Sequence, residues 1–549
     1  MLVPEAIAHI LKAEGVNYLF AYPLNPIIEA AAALDIRTII VRQERVGAHM
    51  ADAISRMSSG EEIGVFVMQH GPGAENCFGG VAQAFGESVP MLFIPAGYDR
   101  KVAGYFPNFN SVQNMRHVTK WAEPLTLGSE VGNVMRRAFT QLRNGRPGPV
   151  LVEVPWDTCK EEVDISGYVP TYKTRFAPDP EHVRAAAREL AAADKPVIYA
   201  GQGIHYSKAW DELRQIAELL NAPVTTSLAG KSAFPETHRL ALGSGGHATT
   251  RMVYDFLYDA DLIFGVGCSF AITAFGTRMP QDKKVIHATL DPVDLNKDLR
   301  SELGLVGDAK LTLQALLAEL QALDLSKAQA RQETTPAAIR RVRDEWMAQW
   351  LPKLTSEQKP MTPYRVIHEL NKLVDKQNVV ITHDAGSPRD QLVPFWESER
   401  PLSYLGWGKT TQLGYGLPLA MGAKLARPDS LCINVWGDAA IGFTGMDFET
   451  AVRERIPILS ILFNNFSMAM ELPIMPVSTD KFRSTDISGH YADMAVAFGG
   501  YGERITEPGD IIAALQRGIA ATERGQPALL EFITCQELDM SLFYSAYGK

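Results

Sequence analysis

Short apolar runs alternate with stretches of helical periodicity along most of the chain. The strand-like runs lie at 18–22, 38–41, 63–69, 91–96 and 150–154, at 196–200, 223–226, 262–265 and 284–290, and at 378–382, 430–436 and 456–463. Strands separated by helices are typical of β-α-β units, which form parallel sheets covered by helices. The pattern therefore predicts an α/β protein built of mostly parallel sheets.

These runs fall into three groups, which predict three domains. The expected domains cover residues 1–170, 178–330 and 345–549. A linker rich in Pro, Tyr and Thr separates the first two, and a polar helical stretch at about 325–359 leads into the third. A length of 549 residues agrees with about three domains, each able to bury its own core.

Composition narrows the class of protein. Apolar residues make up 46% of the chain and charged residues 21%, as in soluble globular proteins. The net charge is −10 and no basic patch with interleaved aromatic residues occurs, so we expect no nucleic-acid partner. Five scattered cysteines without a CxxC spacing indicate buried thiols in a reducing compartment. The sequence shows no signal peptide and no apolar run of about 18 residues, so we expect a cytoplasmic protein without a membrane partner.

Candidate chemistry lies where two predicted strands of the third block end. The run 430–436 is followed by Gly437-Asp438-Ala439-Ala440, and the run 456–463 is followed by Asn464-Asn465. Parallel sheets bind ligands at the carboxyl ends of their strands. A carboxylate beside an amide oxygen there would suit Mg²⁺, which prefers hard oxygen ligands and often binds together with phosphates. The alternative is two polar strand ends without a ligand.

This spacing resembles the motif of the thiamine diphosphate enzymes, a Gly-Asp-Gly-like turn followed by Asn-Asn, with Ala439 here at the third position. The resemblance implies Mg²⁺ bound by Asp438, Asn465 and the backbone carbonyl of Ser467. It also implies cofactor contacts from further residues of the two loops: Gly437, Ala439, Ala440 and Met468.

A second match lies near the start of the chain. Glu44 follows the strand-like run 37–41 and opens a helix of small residues, as the cofactor-activating Glu does in the family. The resemblance implies that Glu44 hydrogen-bonds N1′ of the aminopyrimidine, while Asn76 lies in a loop beside the cofactor. The cofactor supplies the carbanion chemistry and the protein orients it. The alternative for Glu44 is a helix-start carboxylate paired with Arg42 or Arg45.

Two further segments match the family. Leu413, in the stretch 411–418, fits the large apolar residue that props the cofactor into a bent shape; an ordinary core leucine is the alternative. Ala385, Gly386 and Ser387 follow the run 378–382 and resemble the loop whose N–H groups bind the diphosphate, as glycine-rich turns do for anions.

Candidate substrate-facing residues are less distinctive. His70 precedes Gly71-Pro72-Gly73 and could transfer protons, although a structural histidine fits equally well. Gln113 is either a substrate contact or a surface residue. Glu471 occupies a position where related decarboxylases carry a proton donor, with a helix-start Glu as the alternative. Acetohydroxyacid synthases carry an apolar residue at that position and a Trp soon after it, and this chain has neither.

The resemblance is closest to the group of acetohydroxyacid synthases, pyruvate oxidases, benzaldehyde lyase and oxalyl-CoA decarboxylases. It implies an Mg²⁺-dependent lyase or carboligase that acts on a 2-keto acid or related carbonyl compound. The alternatives are a 2-hydroxyacyl-CoA lyase or oxalyl-CoA decarboxylase, and a thiamine diphosphate-binding regulatory protein. It also implies a homodimer or homotetramer with active sites at the subunit interface.

The second block carries two glycine pairs after predicted strands, in Gly201-Gln202-Gly203 and Gly265-Val266-Gly267. Some relatives bind FAD or ADP in this domain. A glycine pair without the full GxGxxG motif is weak support for a dinucleotide. The sequence therefore favours a structural role for these glycines over bound FAD.

Overall fold

Each of the apolar runs singled out above forms a strand, and the strands assemble into three separate sheets. The computed structural model describes residues 1–543. Each sheet has six strands, and every pairing between these strands is parallel. The α/β class predicted from the sequence is confirmed. Residues 544–549 of the third expected domain lie outside the described part.

The first sheet has the order β2-β1-β3-β4-β6-β5. Its strands are β1 Tyr18–Ala21, β2 Arg37–Ile40, β3 Gly64–Met68, β4 Met91–Gly97, β5 Trp121–Pro124 and β6 Val150–Pro155. The α-helices around it are α1 Val3–Ala13, α2 Ile27–Ala32, α3 Glu44–Met57, α4 Pro72–Glu87, α5 Ser111–Met115 and α6 Val131–Arg143.

The second sheet has the order β12-β11-β10-β7-β8-β9. Its strands are β7 Pro196–Ala200, β8 Val224–Thr226, β9 Ala241–Ser244, β10 Leu262–Val266, β11 Lys284–Thr289 and β12 Leu303–Val306. Its α-helices are α7 Pro180–Ala192, α8 Gly203–Ser207, α9 Trp210–Leu220, α10 Arg251–Asp259 and α11 Ala309–Leu320. The helical connector expected at 325–359 is formed by α12 Ser326–Ala330 and α13 Thr334–Leu354.

The third sheet has the order β14-β13-β15-β16-β18-β17. Its strands are β13 Val379–His383, β14 Tyr404–Leu405, β15 Leu431–Gly437, β16 Leu459–Asn464, β17 Tyr501–Ile505 and β18 Ala528–Ile533. Its α-helices are α14 Pro363–Leu373, α15 Ser387–Leu392, α16 Gly416–Ala426, α17 Asp438–Thr444, α18 Phe448–Arg453, α19 Pro476–Phe482, α20 Tyr491–Ala497 and α21 Ile511–Glu523.

The first and third domains pack together through helices α3 and α16. All of α3 except Arg45 is buried. The helices approach so closely that a Cβ at Gly422 would lie 2.4 Å from the carbonyl oxygen of Met50 and 2.7 Å from the Cβ of Ala53. Buried side chains from both domains form one continuous apolar core. Helix α3, which begins at Glu44, is thus held against the third domain.

A buried polar network joins the same two domains. Arg56 donates to Asp52 Oδ1 at 2.6 Å and to the carbonyl of Gly406 at 2.9 Å. Tyr415 donates its hydroxyl proton to Asp52 Oδ2 at 2.6 Å and lies 3.0 Å from Arg56 Nη2. Because all three side chains are withdrawn from water, the Asp52–Arg56 pair of α3 depends on Gly406 and Tyr415 of the third domain for its remaining hydrogen bonds.

Among the described residues, no helix is both long enough and apolar enough to cross a bilayer.

Candidate cofactor site

The Gly-Asp turn and the Asn-Asn pair lie side by side at the carboxyl edge of the third sheet. Strand β15 ends at Gly437, α17 begins at Asp438, and the neighbouring strand β16 ends at Asn464. Asp438 Oδ2 accepts the backbone N–H groups of Asn465 at 3.1 Å and Ser467 at 3.3 Å. The carboxylate and the asparagine loop expected from the sequence therefore meet in the folded chain.

The polar groups of this loop suit a cation. Burial raises the pKa of the Asp438 carboxyl to about 6, in spite of the backbone N–H groups that it accepts. Asn465 Oδ1 accepts the N–H of Ser467 at 2.9 Å, and the buried Ser467 Oγ has no hydrogen-bond partner within residues 1–543. A nearby cation would stabilise the buried carboxylate. Carboxylate, amide and carbonyl oxygens are ligands that Mg²⁺ accepts.

A metal at this loop would have one carboxylate ligand. Over the described chain, no cluster of three or more His, Cys, Asp or Glu side chains is arranged to hold a metal ion. The Asp438 loop instead combines one carboxylate with an amide and a backbone carbonyl. Mg²⁺ often keeps such a small protein ligand set and takes its other ligands from phosphates and water.

A buried carboxylate behind the loop holds the first asparagine. Glu531, in β18, accepts Asn464 Nδ2 at 2.7 Å with Oε1 and the backbone N–H of Ala492 at 2.9 Å with Oε2. Asn464 Oδ1 in turn accepts the N–H of Phe466 at 3.1 Å. Glu531 was missed from the sequence. The available signal was a lone Glu inside the apolar run Ala528–Ile533.

Asp384 connects the loop after β13 to the turn before α16. Its Oδ1 accepts the N–H groups of Ala385 at 2.8 Å and Gly414 at 2.9 Å, and its Oδ2 accepts that of Gly416 at 2.9 Å. Burial raises the pKa of Asp384 to about 6. The N–H of Ala385, one of the residues expected to contact the diphosphate, is thus donated to Asp384.

Gly386 and Ser387 follow in the same loop. Gly386 has a φ of +79°, which favours glycine, and a Cβ there would lie 3.6 Å from Sδ of Met470. Within the described residues, the N–H groups of Gly386 and Ser387 have no acceptor. These two amides are therefore open to an anion.

Leu413 lies half-buried in the turn that Asp384 holds. Its side chain packs against the core shared by the first and third domains. The next residue, Gly414, has a φ of +87°, and a Cβ there would lie 2.8 Å from side-chain atoms of Phe443 and Thr444. Thr444 Oγ1 donates to the carbonyl of Gly414 at 2.8 Å. The glycine therefore fixes the turn that presents Leu413.

Glu44 is a buried carboxyl group at the start of α3, with 3% of its surface exposed. Burial raises its pKa, against the opposing effects of its own backbone N–H and of the nearby Asn76 side chain. A carboxyl group with a raised pKa can share a proton with a basic ring nitrogen. Asn76, which was expected in a loop, lies on α4 near this carboxyl group.

The two arginines beside Glu44 are engaged with other groups. Arg42 pairs with Glu449 at 3.5 Å, and the Arg45 guanidinium lies over the ring of Phe443, 5.9 Å from its centroid. In the described chain, the ion pair that the sequence allowed for Glu44 does not form. Neither arginine therefore neutralises the Glu44 carboxyl group.

Gln113, Glu471 and Met468 make no hydrogen bond to this carboxyl group within residues 1–543. Gln113 is exposed on α5, where its backbone N–H caps the helix through Asn110 Oδ1 at 2.7 Å. Glu471 is half-buried in a short 3₁₀ turn, and Met468 is exposed, with its N–H donated to the carbonyl of Thr485. No hydrogen bond within residues 1–543 joins Gln113 to Glu471.

His70 lies at the carboxyl edge of the first sheet, between β3 and α4. Its Nδ1 accepts a hydrogen bond from Trp156 Nε1 at 3.0 Å, and its ring packs edge-on against Tyr98. Trp156 was missed from the sequence. Its only signal there was its position two residues after the end of the apolar run 150–154.

A cavity of about 180 Å³ lies where the three domains meet. Arg146 from the first domain and Lys409 from the third contribute to its wall. The predicted glycine pair of the second domain serves close backbone packing here. A Cβ at Gly201 would lie 2.2 Å from the carbonyl oxygen of Gly267, and one at Gly203 would lie 2.7 Å from its Cα.

Comparison with known proteins agrees with the geometry of the site. Models of the thiamine pyrophosphate enzyme match the chain in three places: the N-terminal TPP binding domain at 1–120, the central domain at 183–316 and the C-terminal TPP binding domain at 384–532. The chain belongs to the thiamine pyrophosphate enzyme family. Thiamine pyrophosphate is the same compound as thiamine diphosphate, so the resemblance read from the sequence is confirmed.

Relatives of this thiamine pyrophosphate enzyme align with it over nearly their whole length. The probable acetolactate synthase large subunit of Methanocaldococcus jannaschii is 31% identical over 551 residues, covering 96% of this chain and 91% of that protein. The acetolactate synthase isozyme 3 large subunit of Escherichia coli is 28% identical, covering 94% and 92%. The acetolactate synthase of Mycobacterium bovis is 28% identical, covering 96% and 87%. The protein is a thiamine diphosphate-dependent enzyme rather than a regulatory protein.

Proposed function

We propose that this enzyme is an Mg²⁺- and thiamine diphosphate-dependent carboligase or decarboxylase of 2-keto acids or related carbonyl compounds, similar to acetolactate synthase. The observation that carries the proposal is the loop of Asp438, Asn465 and Ser467, in a chain that matches acetolactate synthase large subunits over 96% of its length. The names of those relatives support ligation of two carbonyl compounds.

The third domain would hold the diphosphate end of the cofactor. Asp438 and Asn465, with the carbonyl of Ser467, would bind Mg²⁺, and the open N–H groups of Gly386 and Ser387 support a contact to phosphate oxygens. When bound, the thiazolium ring supplies a nucleophilic carbon and an electron sink. Leu413 would support the middle of the cofactor from the shared core.

The first domain would hold the pyrimidine end. Glu44 is buried and its pKa is raised, which supports a role in holding a proton at N1′. The Asn76 side chain lies near the same carboxyl group. Exclusion of water would strengthen the hydrogen bond between Glu44 and N1′, because the local dielectric constant is low.

The two halves of the site would come from two copies of the chain. Asn76, the polar side chain near Glu44, belongs to the first domain, whereas Asp438 accepts its hydrogen bonds from the third. No hydrogen bond in residues 1–543 links Glu44 to the Asp438 loop. In a twofold dimer, each Glu44 would face the Asp438 loop of the other copy, so the dimer would have two equivalent sites.

Mixing two inactive variants tests this arrangement. Glu44→Gln and Asp438→Ala each abolish turnover in homodimers. When the two chains are co-expressed in equal amounts, random pairing gives one intact site in half of the dimers, so about one quarter of wild-type activity returns. A chain that carries both substitutions, mixed with either single variant, restores nothing and serves as the control. Absence of any recovery in the first mixture would contradict a shared site.

The substrate class is tested with a panel of 2-keto acids, hydroxy ketones and acyl-CoA thioesters in the presence of thiamine diphosphate and Mg²⁺. We expect consumption of a 2-keto acid that stops on addition of EDTA and in the Glu44→Gln variant. Turnover of acyl-CoA thioesters alone would favour the 2-hydroxyacyl-CoA lyase or oxalyl-CoA decarboxylase reaction instead.

Close backbone packing at Gly201 and Gly203 supports a structural role for the glycine pairs rather than bound FAD. Protein purified without added cofactors should therefore lack a flavin absorbance band. A stoichiometric flavin band would contradict this part of the proposal.

A further inference from the structure

Three ring side chains line the carboxyl edge of the first sheet, beyond neighbouring strands. His70 follows β3, Tyr98 follows β4 directly, and Trp156 follows β6 directly, and these strands are adjacent in the sheet. The His70 ring packs edge-on against Tyr98 with centroids 4.5 Å apart and lies nearly perpendicular to Trp156 with centroids 6.3 Å apart. The orientation of the imidazole is therefore fixed from two sides.

The hydrogen bond from Trp156 determines where the imidazole carries its proton. The indole Nε1–H of Trp156 lies 3.0 Å from His70 Nδ1. An indole can only donate, so Nδ1 must accept. In the neutral ring the proton is then on Nε2. A second proton on Nδ1 would face the indole N–H, so this contact disfavours the cation.

A second tryptophan–histidine hydrogen bond occurs outside the site and shows how the opposite ring nitrogen is then used. In the second domain, Trp210 Nε1 donates to His205 Nδ1 at 3.0 Å. His205 Nε2 lies 3.1 Å from the carbonyl oxygen of Lys231, to which it donates its proton. The tryptophan thus sets the tautomer, and the opposite nitrogen donates to a carbonyl group.

At His70 the corresponding donor, Nε2–H, is not used by any group of residues 1–543. In the described chain, His70 Nε2 has no hydrogen-bond acceptor, and the ring is only half-buried. The next residue is Gly71, with a φ of +59°, where a Cβ would lie 2.8 Å from the Tyr98 hydroxyl oxygen. The backbone can therefore turn away immediately after His70 and leave Nε2 accessible. Burial lowers the pKa of His70, with a smaller opposing effect of Asp99, which agrees with a neutral ring.

We propose that Trp156 is a positioning residue that holds His70 as a neutral Nε2–H donor for a carbonyl oxygen of the substrate. His70 in this state donates a hydrogen bond and does not act as a base at Nε2. The inference rests on the proposed function for the nature of the ligand, but the state of the ring can be measured without substrate or turnover.

Ring-nitrogen NMR of the whole enzyme labelled with ¹⁵N-histidine tests the state of the ring, with His70→Gln used to assign the signals. We expect a neutral ring that is protonated at Nε2 and hydrogen-bonded at Nδ1. In Trp156→Phe the Nδ1 signal should move to the position of an unbonded nitrogen, while the His205 signals stay unchanged. In Trp210→Phe the His205 Nδ1 signal should move, while the His70 signals stay unchanged. A His70 protonated at Nδ1, or at both nitrogens near neutral pH, would overturn the proposal even if the enzyme proves to catalyse another reaction.

Kinetics of two His70 variants test its use as a donor. The amide nitrogen of Gln can take the place of Nε2, whereas that of Asn can take the place of Nδ1. We expect His70→Asn to lower kcat about 100-fold, in the range seen when one donor to a developing oxyanion is removed. His70→Gln should stay within about 10-fold of the wild type, because it keeps a donor there.

Trp156→Phe should lower kcat about 3- to 10-fold through the loss of one hydrogen bond, and Trp210→Phe should leave it unchanged. Equal activities of His70→Gln and His70→Asn, whether high or low, would overturn the role of His70 as a donor. Because the NMR result does not depend on turnover, failure of this inference can be separated from failure of the proposed function.

Discussion

Removal of Asp52 should strongly destabilise the protein, because it breaks a buried ion pair in the polar network between α3 and the turn before α16. Arg56 is 4% exposed, and its closest carboxylate partner is Asp52 at 2.6 Å. In Asp52→Ala the guanidinium keeps the carbonyl of Gly406 and the hydroxyl of Tyr415, which are both neutral. Breaking one side of a buried ion pair costs about 3–5 kcal/mol, because the remaining charge stays out of water without a counterion.

Two matched variants separate charge from packing. Tyr415→Phe removes one hydroxyl group and should cost about 1.5–3 kcal/mol, as expected for hydrogen bonds to charged groups. The double variant Asp52→Leu with Arg56→Met removes both charges and keeps apolar volume. It should be less destabilised than Asp52→Ala, since no buried charge is left unpaired.

The measurement is urea unfolding at one fixed protein concentration, because an oligomer gains stability with concentration. Midpoints are compared between variants, since a chain of three domains need not unfold in one step. The reasoning is refuted if Asp52→Ala unfolds at the same urea concentration as the wild type. It is also refuted if the double variant is less stable than Asp52→Ala.

Two further predictions follow from burial in the first and third domains. Gly422→Ala places a Cβ 2.4 Å from the carbonyl oxygen of Met50 and should lower the free energy of unfolding by about 1–3 kcal/mol. The control Gly442→Ala places its Cβ in open space and should not lower it. Equal melting temperatures of the two variants would contradict this prediction. Burial raises the pKa of Asp438 to about 6, so the carboxyl group is protonated below that pH and the metal-free fold loses stability as pH rises through 6. Mg²⁺ needs the ionised Asp438 carboxylate, so calorimetry should show that the Mg²⁺-dependent affinity for the cofactor falls about tenfold per pH unit below 6. The control variant Asp447→Asn should show the same slope.

Apolar runs in the sequence predict twelve of the eighteen described strands, and several of the strands that they miss lack this signal. The edge strands Trp121–Pro124 and Tyr501–Ile505 are largely half-exposed and carry Glu, Arg or Pro, so neither alternation nor an apolar run marks them. Tyr404–Leu405 has only two residues. Ala528–Ile533 does form an apolar run, interrupted by Glu531, and was left unassigned.

In the candidate site, too, residues within a local sequence motif could be predicted, and residues outside one could not. Asp438 and Asn465 could be found because each follows a strand within a short local motif. The partners that fix the site are distant in sequence: Trp156 lies 86 residues after His70, and Tyr415 lies 363 residues after Asp52. No local pattern records such contacts, since they depend on how the sheets and domains pack.

The burial of α3 has a consequence for how the chain is made. Every residue of this helix except Arg45 is covered, in part by α16, which is completed about 370 residues later. At about 5–20 residues per second, a ribosome needs roughly 20–70 s to synthesise that stretch. During this time the apolar side of α3 that will meet α16 has no permanent cover, so the nascent first domain should depend on chaperones until the third domain emerges. The first and third domains have separate sheets, but during biosynthesis their folding is coupled.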